Sequence, residues 1–242
     1  MEVAYRKPTL TETYAELRLA EGSLTEARFF EVVPTLKKRG FADIEFATSG
    51  IRLDIREGGA FPREQQRIRC WRNERKELIQ VGEDLVIANL TGEYPGWDAF
   101  LGIFEECLTA LQESLPGVVI DFLSLNTIDA FSVAKRDFRV DDFLHVGGEI
   151  IPRWYSGVRE SFDIDIGRGL LPIDGANRQI HIKATASSDP VHVRMRCHFQ
   201  ERVPTGSKLE DVLETLHRES NVAFEALITD RVRNDIMGGT KS

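Results

Sequence analysis

The stretch from Arg67 to Phe100 constrains the fold of this chain more than any other part of the sequence. Two apolar runs separated by Gly82-Glu83-Asp84 predict a pair of strands joined by a turn. Thr91-Gly92 ends the second strand, and an aromatic cluster then leads into a strongly apolar helix. The members of this cluster are Tyr94, Trp97 and Phe100. Because Pro95-Gly96 pre-sets a turn between them, we interpret the cluster as a structural hinge.

Composition bounds the class of protein. A chain of 242 residues, 42% hydrophobic and 29% charged, has enough apolar surface for a sizeable core. Its formal charge of −8 argues against bulk nucleic-acid binding, for which a basic domain is expected. The first residues do not resemble a signal peptide, and no apolar segment is long enough for a membrane helix. We therefore expect a cytoplasmic protein that does not enter a membrane.

The three cysteines, Cys70, Cys107 and Cys197, lie among apolar neighbours. An odd and sparse set does not form a disulfide framework, so we expect buried, reduced thiols. Nothing near Cys70 in the linear sequence provides a base that would activate it as a nucleophile.

Local patterns also predict helices and strands outside the stretch from Arg67 to Phe100. Leu10 to Leu19 alternates with period two, which is typical of a strand with one solvated face. Ser23 or Thr25 is expected to cap a helix that runs to Arg39, with a kink or an early stop at Pro34.

Two connecting segments lack a clear period. Residues 58–66 are expected to form a loop, and residues 129–148 a long loop with a short helix.

The order of these elements predicts an α+β fold, with an antiparallel sheet and about three main helices packed on it. The halves 1–116 and 117–242 both end in a Thr-Gly corner followed by a long apolar helix, at 97–115 and at 208–228. This parallel suggests two related halves within one compact domain. The alternative, that corners between strands and helices simply favour glycine, stays open.

The last two strands carry the pattern most informative about function. Residues 178–186 and 191–203 alternate, and apart from Gln179 and Thr185 the outward polar positions that carry the pattern are basic or can become so. These positions are His181 and Lys183 in the first strand, and His192, Arg194, Arg196 and His198 in the second. A hairpin across residues 187–190 that keeps both polar rows on one face pairs Thr185 with His192, Lys183 with Arg194, and His181 with Arg196.

Like charges directly opposite each other destabilise a sheet, so these rows need a negative partner. Asp163 and Asp165 on the preceding strand supply it internally in one interpretation. In the other, the partner is external: a phosphate-bearing ligand, nucleic acid, or the acidic face of a partner protein or second subunit.

Other candidates for chemistry are weaker. None of the five histidines has metal-ligand spacing, and His217 on the last helix is interpreted as structural. Asp163 and Asp165 share a strand face, where a solvated pair is favoured over a metal site. Phosphate-loop, nucleophile-elbow and dinucleotide fingerprints are absent from the sequence. We therefore predict no catalytic residue, metal or cofactor.

The order and spacing of several motifs are similar to those of a known family. They are Pro8-x-Leu10-x-Glu12; Leu78-Ile79-Gln80-Val81 with Asp84 and Asn89; Tyr94-x-x-Trp97-x-x-Phe100; Leu125-Asn126-Thr127-Ile128; and His217, Phe224 and Thr229-Asp230. Through them nearly the whole chain resembles a sporadically distributed, functionally uncharacterised bacterial protein family of similar length. That family often has an arginine before the Asn-containing motif, and Ile120 to Ser124 supplies none. The resemblance implies a fold and no established activity.

Three functional hypotheses follow. The first is a non-enzymatic binding or regulatory protein that captures an anionic ligand or a protein partner on the basic strands. The second is a metal-assisted hydrolase of a phosphorylated or nucleic-acid substrate, with His181, His192 or His198 as acid or base and Asp163 with Asp165 as metal ligands. The third is a structural protein that forms a homo-oligomer through its apolar helices.

Overall fold

The computed structural model describes residues 5–20, 28–56, 59–147, 151, 153–168 and 176–239. Within them a nine-stranded antiparallel sheet is combined with helices, which confirms the predicted α+β class. The strands are β1 (Leu10–Leu19), β2 (Asp43–Arg56), β3 (Gly59–Arg72), β4 (Glu77–Gly82), β5 (Leu85–Thr91), β6 (Ile120–Val133), β7 (Phe162–Arg168), β8 (Asn177–Thr185) and β9 (Val191–Arg202). The α-helices are α1 (Val32–Lys38), α2 (Trp97–Ser114), α3 (Val140–Phe143) and α4 (Leu209–Leu227). No helix among these described residues is both long enough and apolar enough to cross a bilayer.

The chain divides into two compact units, each assembled from separate segments. The first unit contains Met1–Thr13, Ser124–Arg202 and Asp211–Ser242, and its neighbouring strands follow the order β6-β9-β8-β7. The second unit contains Tyr14–Leu123 and Val203–Glu210, with the order β2-β3-β4-β5. The division into sequential halves at residue 116, and their origin by duplication, stay predictions.

The aromatic cluster marks the start of α2 in the second unit. Gly96 precedes the helix with a φ of 119°, which glycine adopts without a steric penalty. Trp97 and Phe100 are buried with their ring centroids 5.3 Å apart, while Tyr94 is half-buried. The helix predicted over 97–115 is therefore present, and its first turn is anchored by packed rings.

Helix α1 corrects the expectation at Pro34. The predicted caps at Ser23 and Thr25 lie outside the described residues, and the helix begins at Val32 after a 3-10 turn over Arg28–Glu31. Pro34 falls in the first helical turn, where backbone N–H groups have no partner within the helix. Its missing N–H costs no hydrogen bond there, so the predicted stop is wrong.

Two predicted loops are also wrong in part. Strand β3 begins at Gly59 and pairs with β2 along its length, from Arg56 opposite Gly59 to Asp43 opposite Trp71. Strand β6 likewise continues to Val133 before short helices follow. Strands were predicted near residues 67–71 and over residues 118–128, but local composition missed the extension of each strand, because the hydrogen bonds there come from other strands.

In the first unit, helix α4 packs against β6 and β9. Leu213 and Leu216 are fully buried, and the hydroxyls of Thr127 and Ser220 lie 3.2 Å apart between the strand and the helix. Arg178 of β8 reaches Glu219 of α4 at 2.6 Å. One side of β8 and β9 therefore faces helix α4, and the opposite side of these two strands does not contribute to this packing.

Arg72 joins several elements of the second unit. Its side chain is 19% exposed and contacts Glu77 at 2.6 Å and Glu106 at 2.8 Å. It also donates to the carbonyl of Arg39 at 2.9 Å and lies over the Phe41 ring at 4.1 Å. Both partner carboxylates therefore depend on one guanidinium.

We expect Arg72→Met to lower the free energy of unfolding by about 1–3 kcal/mol, because it leaves two partly buried carboxylates without their cation. Urea unfolding measures the change. Arg18→Met is the control, since Arg18 is 60% exposed in its ion pair with Glu16 and should cause little change. Equal losses in the two variants would contradict this role of Arg72.

Candidate functional site

The six predicted binding residues lie together on one side of strands β8 and β9, and we call this surface the basic face. Its members are His181, Lys183, His192, Arg194, Arg196 and His198. The observed register pairs Thr185 with His192, Lys183 with Arg194, and His181 with Arg196, as the alternation predicted. The intervening residues, such as Ile182, Met195 and Cys197, are buried on the helix side. Because the apolar residues of both strands are buried on the helix side, the basic residues of the two strands lie opposite each other on the other side of the sheet.

Asp163 on β7 supplies part of the expected internal compensation. It lies directly opposite Lys183, with its carboxylate 3.4 Å from the ammonium, and it also accepts a hydrogen bond from Nε2 of His181. The hydrogen bond from His181, together with the one from Lys183, holds the pKa of Asp163 below its usual value. Asp165 is exposed and pairs in register with His181. One carboxylate is therefore shared between two members of the basic face.

Arg194 lacks such compensation. It is exposed, and within the described part of the chain no carboxylate forms an ion pair with it and no side chain hydrogen-bonds to it. Other arginines of the first unit do have carboxylate partners. These arginines are Arg139, Arg178, Arg231 and Arg233. The contrast is clearest for Arg178, on the helix side, which contacts Glu201 at 2.9 Å and Glu219 at 2.6 Å.

Asn126 of β6 organises the other end of the basic face. Its Oδ1 accepts hydrogen bonds from Nη2 of Arg196 at 2.9 Å and from Nδ1 of His198 at 2.9 Å. The acceptor oxygen requires the proton of neutral His198 to sit on Nδ1. Asn126 is 1% exposed, and no described residue accepts a hydrogen bond from its Nδ2. The amide thus orients two basic side chains through its oxygen, while neither N–H of its own NH2 group has an acceptor among the described residues.

His192 is held at the opposite end. Its Nδ1 shares a hydrogen bond of 2.9 Å with the hydroxyl of Ser132 at the end of β6. Strand β6 therefore positions the basic side chains at both ends of β9, through the amide of Asn126 and the hydroxyl of Ser132.

Sequence reasoning selected the six basic residues but missed Asn126 as part of the site. The available signal was an amide within Leu123 to Ile128, a segment predicted to be a buried strand, in which the other polar residues are the small Ser124 and Thr127. A buried amide in a strand needs partners for its polar atoms, and long basic side chains on the neighbouring strand can supply them.

The three cysteines are buried and unpaired by disulfides, as predicted. Burial raises the pKa of Cys70 to about 11 and the pKa values of Cys107 and Cys197 to about 12. Each thiol therefore stays protonated near neutral pH, which disfavours nucleophilic chemistry at these positions.

His217 and Asp129 are the other buried titratable groups of the first unit. Burial lowers the pKa of His217 to about 4, and its Nε2 accepts a hydrogen bond from Nδ2 of Asn221 at 3.0 Å. Burial raises the pKa of Asp129 to about 7, although the hydroxyl of Thr9 donates to it at 2.8 Å. Burial therefore keeps His217 uncharged near neutral pH and keeps Asp129 protonated at pH values below about 7.

Asp163 and Asp165 are the metal ligands of the hydrolase hypothesis. In the described residues, no group of three or more His, Cys, Asp and Glu side chains is arranged to hold a metal ion. The carboxylate of Asp163 is instead engaged with two members of the basic face.

Comparison with protein-family models and with curated proteins finds no match for this chain. The family resemblance based on its motifs therefore stays a prediction.

Asp129 and His217 should give opposite slopes to stability between about pH 4 and 6.5. The folded state keeps a proton on Asp129 that the unfolded state loses above pH 3.8, so this group makes stability fall as pH rises to about 7. The unfolded state protonates His217 below pH 6.5 while the folded state does not, so stability rises with pH up to that value.

We expect the free energy of unfolding of Asp129→Asn to rise with pH more steeply than that of the wild type, by up to about 1.4 kcal/mol per pH unit. His217→Gln should show the opposite change, and the double variant should return close to the wild-type profile. Urea unfolding at pH 4.5, 5.5 and 6.5 compares the four proteins at roughly equal steps across this window. Parallel profiles would show that neither group is held uncharged in the fold.

Proposed function

We propose that this chain is a binding protein that captures an anionic partner on the basic face of β8 and β9. The role is recognition, with β7 and β6 setting the geometry of the two basic rows. Three unpaired thiols are compatible with the reducing cytoplasm as its location.

One observation carries the proposal: Lys183 and Arg194 lie directly opposite each other, and Arg194 has no carboxylate partner in the described residues. A like-charged pair in this position weakens a sheet by about 0.2–1 kcal/mol. The chain has 39 acidic residues and places pairs of them around Arg178, so acidic side chains are not scarce. An exposed Arg194 that faces a lysine and has no carboxylate partner among the described residues is best explained, in an acidic protein, by a negative partner that comes from outside.

The positions of the supporting side chains agree with a recognition role. Asn126 orients Arg196 and His198, and Ser132 holds His192. Hydrogen bonds of this kind reduce the number of conformations that a long side chain must lose when a ligand binds. The basic face is therefore partly organised before its partner arrives.

Native mass spectrometry of the protein purified from cells tests the proposal. We expect the wild type to carry an anionic adduct that is released on denaturation, and the variant K183S/R194S/R196S to lack it because three cations are removed from one face. The control, R159S/K208S/R218S, loses the same residue types from exposed positions elsewhere and should keep the adduct.

An adduct on all three proteins would place binding elsewhere and contradict the proposal. Its absence from all three, followed by no binding of added anions in calorimetry, would also overturn it. Circular dichroism and thermal unfolding of each variant establish that the fold is intact before the comparison is made.

A further inference from the structure

We propose that the partner of the basic face is a small phosphate-bearing ligand whose dianionic group is held between Lys183 and Arg194, with Arg196 beside them. This inference rests on the proposed function and names the chemical class of its ligand. It is argued from the charge of the site, from the nature of the surrounding side chains and from the hydrogen bonds of Asn126.

The charge of the site favours a dianion. Lys183 and Arg194 are directly opposed, and the carboxylate nearest Lys183 is shared with His181. One carboxylate ligand brings a single charge and two acceptor oxygens, whereas a phosphate monoester brings a charge of about −1.5 to −2 and three acceptor oxygens. A phosphate group can therefore neutralise both opposed cations and still accept a hydrogen bond from a third donor.

Cross-strand geometry places the donors at a suitable spacing. Side chains directly opposite each other on antiparallel strands have Cβ atoms about 4.5–5.5 Å apart, and alternate residues along a strand are about 7 Å apart. Lys183 and Arg194 are directly opposite each other on the two strands, and Arg194 and Arg196 are alternate residues along β9. Long, basic side chains at these spacings can converge on one compact anion.

The character of the surface disfavours a macromolecular partner. Strands β8 and β9 are described throughout, and every side chain that they place on this side is polar. These side chains are Asn177, Gln179, His181, Lys183, Thr185, His192, Arg194, Arg196, His198, Gln200 and Arg202. Protein interfaces depend on buried aromatic or apolar anchors, and single-stranded nucleic acids on aromatic platforms for base stacking. Neither kind of side chain is present in this set, so recognition here must work through charge and hydrogen bonds.

Asn126 acts in this site as a positioning residue. Its Oδ1 holds the guanidinium of Arg196 and the ring of His198, although burial of its Nδ2 without an acceptor in the described residues opposes folding. Asn126→Asp keeps the shape of the side chain and places an ionisable carboxylate beneath Arg196, whose guanidinium favours the charged form. That carboxylate should compete with an incoming anion for the same cation.

Isothermal titration calorimetry in a phosphate-free buffer tests the inference, with inorganic phosphate as the probe. Succinate and a thymidine oligonucleotide are titrated at the same ionic strength. We expect saturable phosphate binding by the wild type that is weakened about tenfold or more in Arg194→Gln and in Lys183→Gln, because each removes a charge-assisted hydrogen bond. Asn126→Asp should also weaken binding, and Lys208→Gln, at an exposed position on the chain, should leave it unchanged.

The outcomes separate this inference from the proposed function. Phosphate binding that is lost in the two Gln variants and retained in Lys208→Gln supports both. Tighter binding of succinate or the oligonucleotide, lost in the same variants, overturns the phosphate assignment while the anion-binding function stands. Phosphate binding that survives in Arg194→Gln and Lys183→Gln overturns the site, and no binding of any of the three anions overturns the assignment to small phosphate ligands.

Discussion

The pairing of β8 with β9 is the constraint on which the candidate site depends. Burial of the apolar rows of both strands fixes which residues face the helix, since a shift by one residue would turn those rows towards solvent. The same register places Lys183 opposite Arg194 and His181 opposite Arg196. The repulsion in this surface is thus a consequence of forming the core, and it persists unless a negative group covers it.

The chain compensates the basic face unevenly. The carboxylate of Asp163 contacts both His181 and Lys183. Asn126 orients Arg196 and His198 with a neutral amide, although an aspartate of the same size could occupy its position. A carboxylate at that position would fill the site from within. One shared acid, one neutral organiser and an Arg194 without a carboxylate partner among the described residues distinguish this surface from an internal ion-pair network, and they are the basis of the proposed binding of an external anion.

Local patterns predicted the parts of the molecule whose structure is dictated by neighbouring residues. The strand over Leu10–Leu19, the helix that follows Gly96 and the register of the last hairpin all follow from periodicity and turn residues. The first part of β3, over residues 59–66, was missed because its hydrogen bonds come from β2. Pro34 was misjudged because its effect depends on its position in the helix. Asn126 was missed as a site residue because its role arises only when β6 lies beside β9.

The most direct test of this account is the stability of Arg194→Gln relative to the wild type in a phosphate-free buffer, measured by urea unfolding at about 10 mM and about 1 M NaCl, where the Debye length is about 30 and 3 Å. Asp163 is shared between His181 and Lys183. If this leaves the charge of Arg194 uncompensated, the variant should be more stable by about 0.2–1 kcal/mol at low salt, and the difference should vanish at high salt. A variant that is no more stable than the wild type at low salt would show that Arg194 is already compensated within the chain, and the need for an external anion would disappear.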